Sequence, residues 1–311
     1  MIKGVGLRPI PFSDRDYSLG WSLSKLYPYN KCLMMYYLEK MPIDWLAFPK
    51  KKRMEIEELR GLSSYAIEVG SVIHETLAVY FRHCQAQKDL NDEELIQIGI
   101  DTFERNIEGK KVHEGRISPN DREENIEVAE RRVQELLEAF IQLPERPQMA
   151  EAVRQRPDDV FIDHGEKIRS YGEFRIDGFK GYGSPDLVYL DKDGMYNVIS
   201  WKTGNHDSDN FLVQLAAQVL FCEHSLGLSP EKITGRTINL NHLDEEPIEL
   251  MGDSELLEQC LERMKRDVEE LKLLYTDKTC KVPKKKETFT FTQNPLTCTK
   301  CKYIDVCERP N

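Results

Sequence analysis

Gly183-Ser184-Pro185-Asp186-Leu187-Val188-Tyr189 and Asn197-Val198-Ile199-Ser200-Trp201-Lys202-Thr203-Gly204 are two apolar stretches joined through Lys192-Asp193-Gly194. Their alternation predicts strands over 184–190 and 196–202, with Gly194 in the left-handed position of a three-residue hairpin loop. Residues two apart on a strand share a face, so Ser200 and Lys202 point the same way. A three-residue loop sets Asp186 opposite Ser200 on that face, whereas a two-residue turn sends it to the other. A carboxylate beside a lysine at a hairpin end suits phosphodiester cleavage: the carboxylate holds a divalent cation and the lysine steadies charge developing at phosphorus. The same pair also makes an ordinary cross-strand salt bridge, and these residues alone leave both readings open.

Outward from the hairpin, a helix is expected over 210–226, capped by Ser208 or Asp209, then a strand near 233–240 and a long helix over 254–275. A further strand is expected over 171–179. The first half reads as helices: 21–41, broken near Pro28, then 67–84, 91–107 and 120–143, the last two with acidic first turns that suit the helix dipole. Helices, strands, a helix and a strand give an α/β chain. We expect an N-terminal segment over 1–60, a helical part over 61–150, a core over 151–275 and a basic linker with a cysteine-rich end over 276–311.

The 311 residues are 40% hydrophobic and 31% charged, with net charge −11. That is enough apolar material for a core and too much for a disordered chain. No run of about 18 apolar residues spans a membrane, and the N-terminus lacks a signal-peptide apolar region, so a cytoplasmic protein without a membrane partner is expected. The acidic total argues against a generally basic surface while leaving room for a local basic groove. Cys84, Cys222 and Cys260 lie in helix-like stretches as small hydrophobes, and Cys280 sits in a polar linker. Cys298, Cys301 and Cys307 differ, because three thiols within ten residues can grip a metal centre from a tight turn.

The whole pattern resembles the PD-(D/E)XK nuclease superfamily. The resemblance is carried by Pro185-Asp186, the strand ending in Lys202-Thr203-Gly204 and the helix bearing Gln214. His74, in Gly-Ser-Val-Ile-His-Glu-Thr-Leu, matches the early histidine of the RecB-like branch, and Glu173 matches its acidic position. One early cysteine, Cys32, with a C-terminal C-x2-C-x5-C is similar to the layout of the iron–sulfur CRISPR-associated RecB-type exonucleases and the AddB nuclease domain. The likeness runs from about residue 20 to 308. It implies a mixed β-sheet flanked by helices and a DNase using Mg2+ or Mn2+. It also implies a [4Fe–4S] cluster on Cys32, Cys298, Cys301 and Cys307 that clamps the C-terminus to the N-terminal helix. His74 and Asp186 become metal ligands, with the Trp201 carbonyl as a third, Lys202 the catalytic lysine and Gln214 its orienting partner. Four thiolates also suit tetrahedral zinc, which a visible spectrum separates from iron–sulfur.

Two positions depart from the family. Ser200 stands where an acidic residue is expected, and Gln218 where a tyrosine is usual. Hard cations favour anionic oxygen, so a serine hydroxyl is a poor substitute. Three explanations compete: a domain kept for binding, an engineered replacement at Ser200, or a carboxylate supplied from elsewhere, such as Glu173 or Asp207. The expected function is a DNA nuclease acting on single strands or ends, weakened or inactive through Ser200. The alternative is a non-catalytic DNA-binding or scaffolding subunit on the same fold. A helicase, recombination or CRISPR-adaptation protein is the partner such a chain implies. Lys50–Arg53 and the run Lys281, Lys284, Lys285, Lys286 are local positives, the latter leading to Phe289 and Phe291, a mix suited to phosphate contact and base stacking.

Overall fold

Side-chain alternation along the central hairpin builds two hydrophobic cores, one on each face of a single sheet. The computed structural model describes residues 7, 19–113, 122–163, 172–204, 208–277, 280 and 282–308. Its helices are α1 (Leu23–Lys31), α2 (Leu33–Lys40), α3 (Lys50–Arg60), α4 (Tyr65–Gln85), α5 (Asp92–Ile107), α6 (Arg122–Ile141), α7 (Arg146–Gln155), α8 (Ser208–Leu226), α9 (Glu255–Lys272) and the short α10 (Pro295–Thr299). The strands are β1 (Phe161–Ile162), β2 (Glu173–Ile176), β3 (Phe179–Tyr182), β4 (Leu187–Leu190), β5 (Tyr196–Lys202), β6 (Ile233–Asn239) and β7 (Ile248–Met251). The five-stranded sheet runs β1-β4-β5-β6-β7, with β5 and β6 parallel and the other pairs antiparallel. The α8 crossover makes the parallel step possible, because parallel neighbours cannot be joined by a tight turn.

Val188 and Val198 face α8, α9 and the N-terminal helices. Leu187, Tyr189, Ile199 and Trp201 face α4 to α7, where Trp201 packs with Phe81 and Phe140. This is the mixed α/β sheet flanked by helices that the pattern predicts, with a helical N-terminal half. No helix among the described residues is long and apolar enough to cross a membrane.

The central hairpin has the expected register, from Leu187↔Ile199 to Leu190↔Tyr196, and Gly194 has φ 82°. Two expectations change. The strand over 171–179 is instead half of a separate hairpin, β2–β3, turned at Asp177 (φ 48°) and Gly178 (φ 81°). Asp-Gly with two positive φ values is the signature of a tight two-residue turn. The break in the first helix falls at Cys32, which is extended (φ −171°, ψ 124°), while Pro28 lies inside α1. The proline forgoes one helical hydrogen bond, and α1 ends at Lys31, within a turn of it. The basic run Lys50–Arg53 opens α3. Tyr171, the start expected for the helix at Asn120, Asp207 and Lys281 lie outside the described residues.

Candidate active site

The site forms where the sheet hands over to its flanking helices. Gly183 marks the entry: a Cβ there would stand 2.6 Å from the Ala217 main-chain carbon of α8, so only glycine lets the chain pass this close. After Ser184 and Pro185, the Asp186 N–H bonds to the Ile199 carbonyl at 3.1 Å. Ile199 already faces Leu187, so two residues are set against one, as in a bulge, and the Asp186 carboxylate is re-aimed. One carboxylate oxygen, Oδ2, accepts the Trp201 N–H at 2.8 Å and the other, Oδ1, meets His74 Nδ1 at 2.7 Å.

His74 reaches Asp186 from α4, whose start is set by Ser64 accepting the Ile67 N–H. Burial pulls the imidazole pKa down, and the Asp186 carboxylate, with a smaller contribution from Asp163, more than reverses this. Burial likewise opposes charge on Asp186, but His74, Lys202 and the Trp201 N–H hold it below the usual carboxylate range. The two form a hydrogen-bonded pair, charge-assisted when the imidazole is protonated.

Lys202 completes the group. Its Nζ donates to Ser200 Oγ at 2.9 Å and to Gln214 Oε1, on α8, at 2.7 Å. Burial pushes its pKa down to about 8, with the Asp186 charge opposing that shift. Ser200 is fully buried, and Gln218 donates to the Ser184 carbonyl at 3.0 Å. The structure therefore brings together His74, Asp186, Trp201, Ser200, Lys202 and Gln214. Glu173 lies apart, in the two-stranded sheet, where Arg175 (2.8 Å) and Lys180 (3.9 Å) hold its carboxylate.

The donor set suits a hard divalent cation in kind, with an imidazole and a carboxylate converging beside a main-chain strand end. It is one carboxylate short at Ser200. Among the described residues no three His, Cys, Asp or Glu side chains are gathered around one point as they stand.

The cysteine-rich end docks against the N-terminal helices. Met34 N–H bonds to the Thr290 carbonyl at 3.1 Å, Cys32 Sγ lies 3.9 Å from that same oxygen, and the Phe289 ring packs on Tyr37 at 4.6 Å. Cys32 is the residue before the first turn of α2. Burial raises the Cys301 thiol pKa, and the nearby Cys32 and Cys298 raise it further. Cys307 is partly buried in the same core. Cys84, Cys222 and Cys260 are buried as expected of core hydrophobes.

The proposed DNA surface is corrected in two respects. Phe289 is 1% exposed and unavailable for stacking. Lys286 and Lys52 both pair with Glu308, and both ammonium groups lie over the Phe48 ring. The local positive charge is thus partly neutralised within the protein.

The family model of the PD-(D/E)XK nuclease superfamily matches residues 20–308. No curated protein matches the chain. Among solved structures, that described as the crystal structure of SSO0001 is similar at 16% identity and a TM-score of 0.22, over 44% of this chain and 56% of the other. The alignment thus spans just over half of that protein's length.

Proposed function

The chain belongs to the PD-(D/E)XK nuclease superfamily, and on that premise we propose that it is a metal-dependent deoxyribonuclease of the RecB-like iron–sulfur type. The observation that carries this reading is the convergence of His74, Asp186 and Lys202 at one strand end. Asp186 and His74 would hold Mg2+ or Mn2+, with the Trp201 carbonyl as a further candidate ligand. Such a cation, when bound, lowers the pKa of a coordinated water and offsets charge on a phosphate. Lys202 keeps a proton at Nζ near neutral pH and places positive charge beside the scissile group. Gln214 fixes the direction of that ammonium through its 2.7 Å hydrogen bond.

Cys32, Cys298, Cys301 and Cys307 would hold a [4Fe–4S] cluster. The influence of Cys32 and Cys298 on Cys301 supports this reading, as does the docking of the C-terminal segment on α2. Such a cluster suits a reducing, cytoplasmic setting. The chain then divides into the segment 1–60, which donates Cys32, the helical part 61–150, the nuclease core 151–275 and the clamp 276–311. Single-stranded DNA or DNA ends are the proposed substrates, with a helicase, recombination or CRISPR-adaptation protein as partner.

Ser200 favours a second reading, a DNA-binding or scaffolding subunit on the same fold, because its hydroxyl bonds to Lys202 where a carboxylate ligand is expected. A manganese-dependent assay on labelled single-stranded and duplex DNA, with the chain and Ser200→Asp side by side, tests both. Cleavage by the chain itself or by the aspartate variant supports the nuclease. Cleavage by neither supports the binding subunit.

A further inference from the structure

Beyond Lys202 the sheet opens into a cavity that holds an unmet hydrogen bond. β6 runs parallel to β5, with Ser200 beside Thr237 and Lys202 beside Asn239. β7 begins only at Ile248, opposite Thr237 and just after Pro247, so Ile238 and Asn239 have no β7 partner. A proline has no N–H with which to extend the ladder. In the space left, Pro144, Phe211, Leu243, Pro247 and Ile248 wall a cavity of about 180 Å³, room for far more than one water. A Cβ at Gly235 would touch Val219 and Leu215 of α8, so Thr237, two residues on, lies on the side of that helix. Thr237 lines the cavity, is 3% exposed, and its hydroxyl has no hydrogen-bond partner among the described residues. A buried hydroxyl left unmet is unfavourable, which suits it to something that enters. Phe211 joins the cavity to the site: Lys202 Nζ lies over its ring, 5.4 Å from the centroid. Three carboxylates, Glu145, Glu245 and Glu246, line the cavity against one imidazole, His242. That charge repels a phosphate, whereas a flat neutral ring with a hydrogen-bonding edge fits the aromatic wall and the hydroxyl.

Resting on the nuclease reading above, we propose that this cavity takes up one unpaired nucleobase of the substrate strand, next to the phosphate held at Lys202. Phe211 is its stacking platform and Thr237 its hydrogen-bond partner. A base and its own phosphate are separated by one sugar, and the Phe211 ring separates the cavity from Lys202 in the same way. A base inside a duplex is stacked and paired, and taking it out costs energy that a single strand does not have to spend. The cavity therefore selects single strands over duplex at the point of cleavage, by contacts that are independent of the metal.

Fluorescence anisotropy on the full chain, in EDTA so that no strand is cut, tests this with a short labelled single strand along which one abasic site is walked. One position is expected to lose about 5–150-fold in affinity, the stacking contribution of a single base. Phe211→Ala should cost the intact strand a similar factor, and in that variant the abasic site should cost nothing further. Thr237→Val, which removes the hydroxyl, should cost about 2–10-fold. Leu273→Ala, at an exposed apolar residue just past α9, should leave affinity unchanged. A flat abasic scan, an abasic penalty undiminished in Phe211→Ala, or no measurable binding overturns the base pocket. Cleavage by Ser200→Asp would then keep the nuclease reading standing, and its absence would remove both. Should Phe211→Ala fail to fold, full affinity and an unchanged abasic penalty in Thr237→Val would also overturn the assignment.

Discussion

The sheet-end site and the cysteine module are assembled in opposite ways. Asp186, Ser200 and Lys202 are carried by a hairpin whose ladder continues into β6; Asp186 bonds to His74 and the Trp201 N–H, and Lys202 to Ser200 and Gln214. That site is formed by the fold itself. The cysteines come from residues 32 and 298–307, at opposite ends of the chain, and their segments are drawn together as Phe289 and Tyr303 pack on Tyr37 and Glu39 of α2. Their thiols are carried by a helix N-terminus, a five-residue helix and the turns after it. Regular structure orders the first site in advance, while the second, if it holds the proposed cluster, would rely on that ligand to offset the conformational entropy of its loops.

The largest test of this contrast is at Lys202. In a Ser200→Asp background, Lys202→Ala should lower manganese-dependent DNA cleavage about 100–1,000-fold, the usual loss when a preorganised charge at the transition state is removed. Thermal melting should change far less, because Lys202 lies at the end of β5. Next, Ser200→Asp alone should raise cleavage about 10–100-fold in a gel assay, since it restores an anionic donor. No gain would mean that the sheet end is already complete without that residue.

The pH profile sharpens the same point. With its pKa pushed down to about 8, Lys202 is charged below that pH and neutral above it. Cleavage that needs the ammonium should fall about tenfold per pH unit above the pKa. In Ser200→Asp the descending limb should move to higher pH, because a new carboxylate beside the ammonium favours its charged form. An unmoved limb would assign it to another group.

If the cysteines hold the proposed cluster, Cys298→Ser should erase its visible absorbance and lower the thermal midpoint by about 5 °C, as expected when a module loses its ligand. It should leave manganese affinity at Asp186 unchanged. A joint loss would show that the two regions are energetically coupled. Smallest of all, Lys284→Ala with Lys285→Ala should reduce the salt slope of single-strand binding by about 0.7 per lysine, measured by anisotropy. Lys286→Ala should add less, because Glu308 already pairs with it.

Much of the sheet-end region is legible in the sequence. The Lys192-Asp193-Gly194 loop sets the register, because Gly194 adopts φ 82° as a three-residue loop requires. That register carries Lys202 to the strand end, while Asp186 reaches the same site through the bulge against Ile199 and not opposite Ser200 as expected. Asn91 and Glu94 form the capping box that starts α5. Helices α3 and α7 escape pattern reading. The first begins in a lysine-rich run, and the second, with Pro147 in its first turn, reads as a turn by composition. The β2–β3 turn is present as Asp177-Gly178 but hides inside an apparently continuous alternation.

Local sequence dictates the alternating strands, the loop that registers them and the amphipathic helices, because these depend on residues close along the chain and on side-chain periodicity. Long-range packing settles the rest. It re-aims Asp186 through a bulge, brings His74 across 112 positions to within 2.7 Å of it, ties Lys286 and Lys52 to Glu308, and seals Phe289 in the core. Contacts between distant segments follow from which surfaces bury together, and no local pattern encodes that pairing.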